Sequence, residues 1–340
     1  MSVLGVTGLT VDFRQRGGPP LRAVDHVSFG LDAGKTLALV GESGSGKSTV
    51  VRAVAQLVKP AAGTIVLDGQ PAGRRGRALR AYRHKVALVF QDPFASLNPI
   101  HTVRHHLARP LSLRPGAPRG AALEEEVRAL LRSVNLTPPE EVAGKHPHEL
   151  SGGQRQRVAI ARALATDPDV LLADEPVSML DVSIRLEILN LLDRLKRDRN
   201  LALLYVTHDL ATARHFSAEI MVMYRGEIVE RGPSDEVILR PAHPYTQLLA
   251  AAAPEPGASR PKLAAARQAR RAHQPARAGR AAEHREAAAG AGCRFRGRCP
   301  HAMEICATRP PDATVGPAHR ALCWLHDPAG AGAAGALASR

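Results

Sequence analysis

Nowhere in its 340 residues does the sequence hold an uninterrupted apolar stretch of about 18 residues, the length that marks a membrane-spanning helix. The N-terminus, Met1-Ser2-Val3-Leu4, lacks the basic start and long apolar run of a secretory signal. The expectation is a soluble chain, intracellular or peripheral to a membrane. Cysteine is scarce as well: all four lie at or after Cys293, so nothing earlier in the chain can rest on a disulfide. None is needed, because 340 residues suffice for one large or two modest hydrophobic cores. Acidic residues are outnumbered 32 to 46 by Lys and Arg, a formal net charge of +14 that points to an anionic partner such as nucleic acid or the cytoplasmic leaflet. The excess is uneven. From Glu255 onward 14 basic residues stand against six acidic ones, so the charge marks the tail more than the body, and no specific nucleic acid is expected.

What the sequence does contain is organised around Gly41-Glu42-Ser43-Gly44-Ser45-Gly46-Lys47-Ser48, which fits G-x-x-x-x-G-K-[ST]. In such a loop the glycines let backbone N–H groups curl around phosphates, Lys47 neutralises their charge, and the Ser48 hydroxyl can ligate Mg²⁺. The pattern also arises by chance, and its flanks decide. Thr36-Leu37-Ala38-Leu39-Val40 precedes it as a short apolar run, and Val50, Val51, Val54, Leu57 and Val58 follow at helical spacing. Strand, loop and helix are the context the motif requires, and the helix would aim its positive end at the phosphates.

Along the chain, Val3 to Val11 and Val24 to Leu31 read as strands of a small sheet around the turn-rich Gly17-Gly18-Pro19-Pro20, with Phe13 between them as a core or edge aromatic. Residues 63–69 form another strand ending at Asp68-Gly69. Val86 to Phe90 suits a buried strand and ends at Gln91, a polar residue at a strand's carboxyl end, where open α/β sheets bind ligands. From Asp92 to about Lys145 strand character disappears: Pro93, Pro99 and Pro110 break the chain, and Leu123 to Val134 reads as a helix. Leu150-Ser151-Gly152-Gly153-Gln154 then leads into a helix over Arg155 to Ala165, with Ser151 as its N-cap. A second anion-binding geometry in one chain is most economically explained by a second protomer presenting it to the first one's nucleotide. Val170 to Ala173 is a buried strand ending at Asp174-Glu175, placed to hold Mg²⁺ through water and to orient or deprotonate the attacking water. Leu201 to Val206 repeats the pattern before Thr207-His208-Asp209, and Glu219 to Tyr224 with Glu227 to Glu230 flanks Arg225-Gly226 as a hairpin.

In this order the elements resemble the ATP-binding cassette (ABC) ATPases over about residues 3–250. Gly41 to Ser48 matches the Walker A motif, Gln91 the Q-loop, Leu150 to Gln154 the LSGGQ signature and Asp174-Glu175 the Walker B pair. Leu180-Asp181 matches the end of the D-loop, His208 the switch histidine, and Phe13 the aromatic placed against adenine. The resemblance implies an α/β fold: a P-loop NTPase core with an antiparallel β subdomain and a helical insertion, plus a small Cys-containing C-terminal module. It implies Glu175, His208 and Gln91 as catalytic residues, and Phe13, Gly41, Ser43, Gly44, Ser45, Gly46, Lys47, Ser48, Thr49, Ser151, Gly152, Gly153, Gln154 and Asp181 as nucleotide-binding residues. Mg²⁺ would lie at Ser48, Gln91 and Asp174. Met179 departs from the D-loop's usual Ala, while Asp181 is kept.

Val89 to Pro93 with Ser96 to Pro99, His146 to Leu150, and His243-Pro244-Tyr245-Thr246 are similar to the ATPase subunits of peptide/opine/nickel importers, the oligopeptide and dipeptide permeases among them. That likeness implies ATP and Mg²⁺, a second ABC ATPase subunit, identical or paralogous, two transmembrane permease subunits, and indirectly an extracytoplasmic solute-binding protein. The location implied is the cytoplasmic face of the cell membrane, and the cargo peptides, with oligosaccharides or nickel chelates as alternatives. A soluble ABC ATPase acting on nucleic acid is the reading from another class. Such proteins typically carry a coiled-coil insertion or tandem cassettes, and neither is found in this sequence. The expected division is an ATPase domain over 1–235, with the helical part at about 92–165, and an extension over 236–340 that contains a basic linker at about 255–290.

The cysteine intervals, Cys293-x5-Cys299-x6-Cys306-x16-Cys323, lack the C-x2-C pairs of common zinc sites. Disulfides do not suit the neighbourhood of a cytosolic ATP site. Reduced thiols, tetrahedral zinc and a four-iron cluster all remain open by spacing, and the resemblance, whose C-terminal segment carries a [4Fe-4S] cluster in some members, puts the cluster ahead of zinc. Ala264 to Gly290 replaces the short connection expected before Cys293 with an Ala/Arg/His-rich stretch. It reads as a disordered basic linker or as the product of a reading-frame error in GC-rich coding sequence, which resequencing the coding DNA separates.

Overall fold

The computed structural model describes residues 2–15, 17–251 and 292–328; the linker expected at 255–290 lies outside the described residues. In chain order the elements begin β1 (Ser2–Phe13), β2 (Leu21–Asp32), β3 (Thr36–Val40), α1 (Lys47–Val54), β4 (Ala62–Leu67), β5 (Gln70–Pro71), α2 (Gly76–Lys85) and β6 (Val86–Val89). A run of helices follows: α3 (Pro93–Ser96), α4 (Val103–Leu111), α5 (Ala121–Ser133), α6 (Pro139–Gly144) and α7 (Gly152–Leu164). The chain then alternates through β7 (Val170–Asp174), α8 (Val182–Arg199), β8 (Ala202–Thr207), α9 (Leu210–Phe216), β9 (Glu219–Tyr224) and β10 (Glu227–Pro233). It closes with α10 (Ser234–Leu239), α11 (Pro244–Ala251), β11 (Asp312–Gly316) and β12 (His319–Leu322). By packing the chain divides into two compact units, one of Met1–Leu9, Ser28–Leu37 and Val50–Thr207, the other of Thr10–Val27, Ala38–Thr49 and His208–Arg340.

In the first unit β6, β7 and β8 lie side by side and parallel, with Leu88 opposite Leu172 and Leu172 opposite Leu204. Every residue of β7 and β8 is buried, which is why both read as unbroken apolar runs: a parallel strand covered on both faces has no solvent side to alternate with. Burying one such Leu contributes about 2 kcal/mol. Strands β4 and β5 pair antiparallel as an Asp68-Gly69 turn predicts, with both turn residues at positive φ. The helical insertion is where the proline-broken segment places it. Helix α4 packs on α5, α6 and α7, and α5 turns Val127, Leu130 and Leu131 inward. The half-buried Arg162 of α7 donates to the Ser96 carbonyl and ties that helix to the segment after β6.

In the second unit β3, β9, β10, β12 and β11 follow one another in a sheet. The hairpin between β9 and β10 turns at Arg225 and Gly226, both at positive φ (44° and 90°), the backbone of a tight two-residue turn. Strand β12 pairs antiparallel with β10, Glu230 opposite Ala321, so the segment after the third cysteine continues this sheet. A buried carboxylate locks the arrangement: Glu230 accepts from the Ala242 and His243 N–H groups at 2.8 Å each and lies 2.7 Å from His319 Nε2. The sequence pattern did not single out β11 and β12, because their short alternation follows a cysteine-rich coil with no apolar run to announce it.

Candidate nucleotide site

In the second unit Gly41 to Ser48 joins β3 to α1 as expected, and its glycines are required by contact rather than by flexibility. A Cβ on Gly41 would stand 2.2 Å from the Met223 carbonyl oxygen, and one on Gly46, at φ 108°, would stand 2.5 Å from that of Ala23. The loop's end is stitched to the hairpin turn, since the Gly226 N–H donates to the Ser45 carbonyl at 2.8 Å. Lys47, the first residue of α1, is 4% exposed and folds back so that Nζ donates to the Gly41 and Glu42 carbonyls at 2.8 and 2.9 Å. Its charge is thereby fixed beside the loop. Ser48 and Thr49 continue the first turn of α1, whose N-terminal end faces the loop. Phe13 ends β1 and is 40% exposed, an aromatic open to solvent as a base-stacking residue must be. His208 is an exposed residue just after β8, ahead of Asp209, which caps α9 by accepting from the Ala211 N–H at 2.9 Å.

In the first unit the structure brings Gln91 and Glu175 together, with Gln91 Nε2 donating to Glu175 Oε2 at 3.2 Å. They follow β6 and β7, neighbours in the parallel sheet, so the polar residues just beyond two carboxyl ends are held side by side. Glu175 adopts φ 47°, in the left-handed region that a non-glycine residue avoids, and its N–H donates to the Val206 carbonyl at 3.0 Å. Asp174, the last residue of β7, is 5% exposed. Ser151 and Gln154 form a reciprocal capping box on α7: Ser151 Oγ accepts from the Gln154 N–H at 3.2 Å, and Gln154 Oε1 accepts from the Ser151 N–H at 2.9 Å. Gly153 lies tight against α8, where a Cβ would stand 2.8 Å from Ile184 Cγ2. Asp181 precedes α8 as its N-cap residue without a side-chain capping bond.

Sequence reasoning missed Arg155, next to the signature. Its guanidinium lies 3.8 Å from the centre of the exposed Phe94 ring, and its Nε donates to the Leu150 carbonyl at 3.0 Å. The i-to-i+4 pattern of α7 gave no hint of this, since Arg155 reads as a solvent residue.

The four cysteines converge. Cys293, Cys299, Cys306 and Cys323 line one cavity of the second unit together with His243 and Phe295, and all four are free thiols. Burial pushes Cys293 up to about 12 and Cys323 up to about 11, and raises Cys299 as well, so without a cation these three thiols stay protonated at neutral pH. Among the described residues, no group of three or more His, Cys, Asp or Glu is arranged to hold a metal ion, so the [4Fe-4S] cluster expected at these cysteines gains no support, nor does zinc. For Mg²⁺ the donor set is apt, because the hydroxyl of Ser48, the side-chain carbonyl of Gln91 and the carboxylate of Asp174 are the all-oxygen ligands of a hard cation.

The ABC transporter family matches residues 24–178, and the C-terminal region of oligopeptide/dipeptide transporters matches residues 229–306. A probable peptide ABC transporter ATP-binding protein of Sinorhizobium fredii is 41% identical over 92% of this chain and 85% of its own length. The di/tripeptide transport ATP-binding protein DppF of Pseudomonas aeruginosa is 40% identical over 87% of this chain and 88% of its own. Among solved structures, a dimeric post-hydrolysis state of the ATP-binding cassette MJ0796 bound to ADP and Pi superposes with a TM-score of 0.61, at 31% identity, over 68% of this chain and 98% of that one.

Proposed function

The chain belongs to the ABC transporter ATP-binding subunits of the oligopeptide/dipeptide class, ATPases that power peptide import, and on that premise we propose how its residues divide the work. Lys47 and Ser48 hold the nucleotide's phosphates, Phe13 stacks on the adenine, Glu175 orients and deprotonates the attacking water, and His208 stabilises the charge that develops on the γ-phosphate. Ser48, Gln91 and Asp174 would hold Mg²⁺, which when bound would neutralise phosphate charge. Two subunits close head to tail, Gly41 to Ser48 of one facing Ser151 to Gln154 of the other, in keeping with the dimeric relative. Among the described residues no helix is long and apolar enough to cross a membrane, and the subunit takes its place on the cytoplasmic face through two permease subunits. Asp92 to Pro99 is the stretch proposed to touch them. The named relatives are peptide transport ATP-binding proteins, and the nucleic-acid reading gains nothing from them.

The observation that carries this assignment is the Gln91–Glu175 pair with Glu175 in a strained backbone conformation. Such strain costs on the order of 1–3 kcal/mol and persists where the carboxylate's position matters. Glu175→Gln is expected to cut turnover by roughly 10²-fold or more while ATP still binds and holds the dimer closed. Near-normal hydrolysis by that variant removes Glu175 from the mechanism.

The four-cysteine cavity is read as the seat of a [4Fe-4S] cluster on the family resemblance and on the convergence of all four thiols on one cavity. Anaerobically purified protein is then brown, with broad absorption near ~400 nm. Colourless protein holding stoichiometric zinc, or no metal, refutes the cluster.

A further inference from the structure

We propose that Arg298, in the four-cysteine tail, is a positioning residue for the phosphate loop: it neutralises Glu42 and so lets the loop accept a nucleotide's phosphates. The inference rests on the reading of Gly41 to Ser48 as that loop. Glu42, second in the loop, is a liability there, because a carboxylate beside a polyphosphate repels it. The structure places a counter-charge on it from 256 residues away in the chain. Arg298 Nη1 donates to Glu42 Oε2 at 3.0 Å and Nη2 to Oε1 at 3.1 Å, a two-pronged pair. The guanidinium side is well covered, 13% exposed against 41% for Glu42.

The grip is built rather than incidental. Arg298 closes a one-turn 3₁₀ helix, Arg296–Arg298, in which its own N–H donates to the Phe295 carbonyl at 2.9 Å. The guanidinium carbon lies 5.7 Å from the centre of the Phe295 ring and 5.8 Å from that of Tyr224, within cation–π range. These rings pack with Tyr245, whose centroid is 4.5 Å from Tyr224 and 5.6 Å from Phe295. The Tyr245 hydroxyl in turn accepts from the Glu42 N–H at 2.9 Å. Arg298 of the tail and Tyr245 of α11 therefore hold Glu42 by side chain and backbone respectively. Lysine would not replace this arginine fully, since its single point charge cannot grip both carboxylate oxygens.

The test is a fluorescent-nucleotide titration of the full chain at low salt, with turnover measured at saturating ATP. Arg298→Ala is expected to weaken Mg-ATP binding roughly tenfold with turnover changed by no more than about twofold, and Arg298→Lys to fall between. In a Glu42→Gln background the same Arg298→Ala change is expected to shift affinity by no more than about twofold, because the charge to be neutralised is gone. Arg298→Gln, which keeps the first two methylenes of the side chain without the charge, serves should the alanine variant fail to fold. An equal loss of affinity in both backgrounds overturns the proposal, as it means that Arg298 only supports the tail's packing. Unchanged affinity in Arg298→Ala, with binding lost in Lys47→Ala, overturns it too. If Lys47→Ala binds ATP normally, the reading of the phosphate loop itself falls.

Discussion

Gly41 to Ser48 and Ser151 to Gln154 are both Ser/Gly stretches that run into a helix, and they occupy that helix end in opposite ways. The first is anchored at its base: Ser45 and Lys47 are about 5% exposed, Lys47 is held on the loop's own carbonyls, and a tail residue pairs with Glu42, while Ser43 and Gly44 face solvent. The second is exposed at Ser151, whose hydroxyl is already engaged by the Gln154 N–H within a reciprocal cap, while Gly153 is buried against α8. A loop that must surround a ligand needs outside support for its shape. A stretch that caps itself keeps its shape alone and can be presented to another chain.

This contrast can be broken by experiment. The largest effect is expected from separating the two stretches between chains. Lys47→Ala should lose roughly 10²-fold in ATP affinity, as a buried charge-assisted contact is removed. Gly153→Val, whose side chain would collide with Ile184, should bind ATP yet not hydrolyse it. Mixing the two inactive variants should restore hydrolysis, since one intact loop then meets one intact signature. If the mixture stays silent, or if wild-type monomer hydrolyses at full rate, the two stretches do not serve one nucleotide from different chains.

A smaller effect sharpens the claim that the signature holds its own shape. Ser151→Ala should cost about 1 kcal/mol in urea unfolding, the worth of an N-cap, and Gln154→Ala, which removes only the reciprocal bond, roughly 0.5 kcal/mol. Equal costs, or none, would mean that the capping box does not shape this helix end.

Much of the site was legible because its chemistry sits at the ends of regular elements. Gln91, Glu175 and His208 each follow a buried apolar strand, and a run such as Val170 to Ala173 announces such a strand without help from the rest of the chain. Ser151 was legible for a similar reason, since N-cap chemistry spans only four residues. Arg155 over Phe94 and Arg298 on Glu42 were not. A surface arginine and a partnered one look the same in sequence, and partners 256 residues apart leave no local pattern.

By itself the sequence determined the periodicities: which runs are buried strands, where the phosphate loop opens a helix, where proline breaks the chain into a helical insertion, and that four cysteines cluster late. These follow from residue chemistry within a few positions of each other, where backbone propensity and burial act directly. Only the tertiary structure decided that the tail's β12 joins β10, that Gln91 meets Glu175, that the four thiols face one cavity and that Glu42 is held by Arg298. Each of these depends on segments distant in the chain being brought side by side by the packing of a whole core, and no short stretch of sequence contains that information.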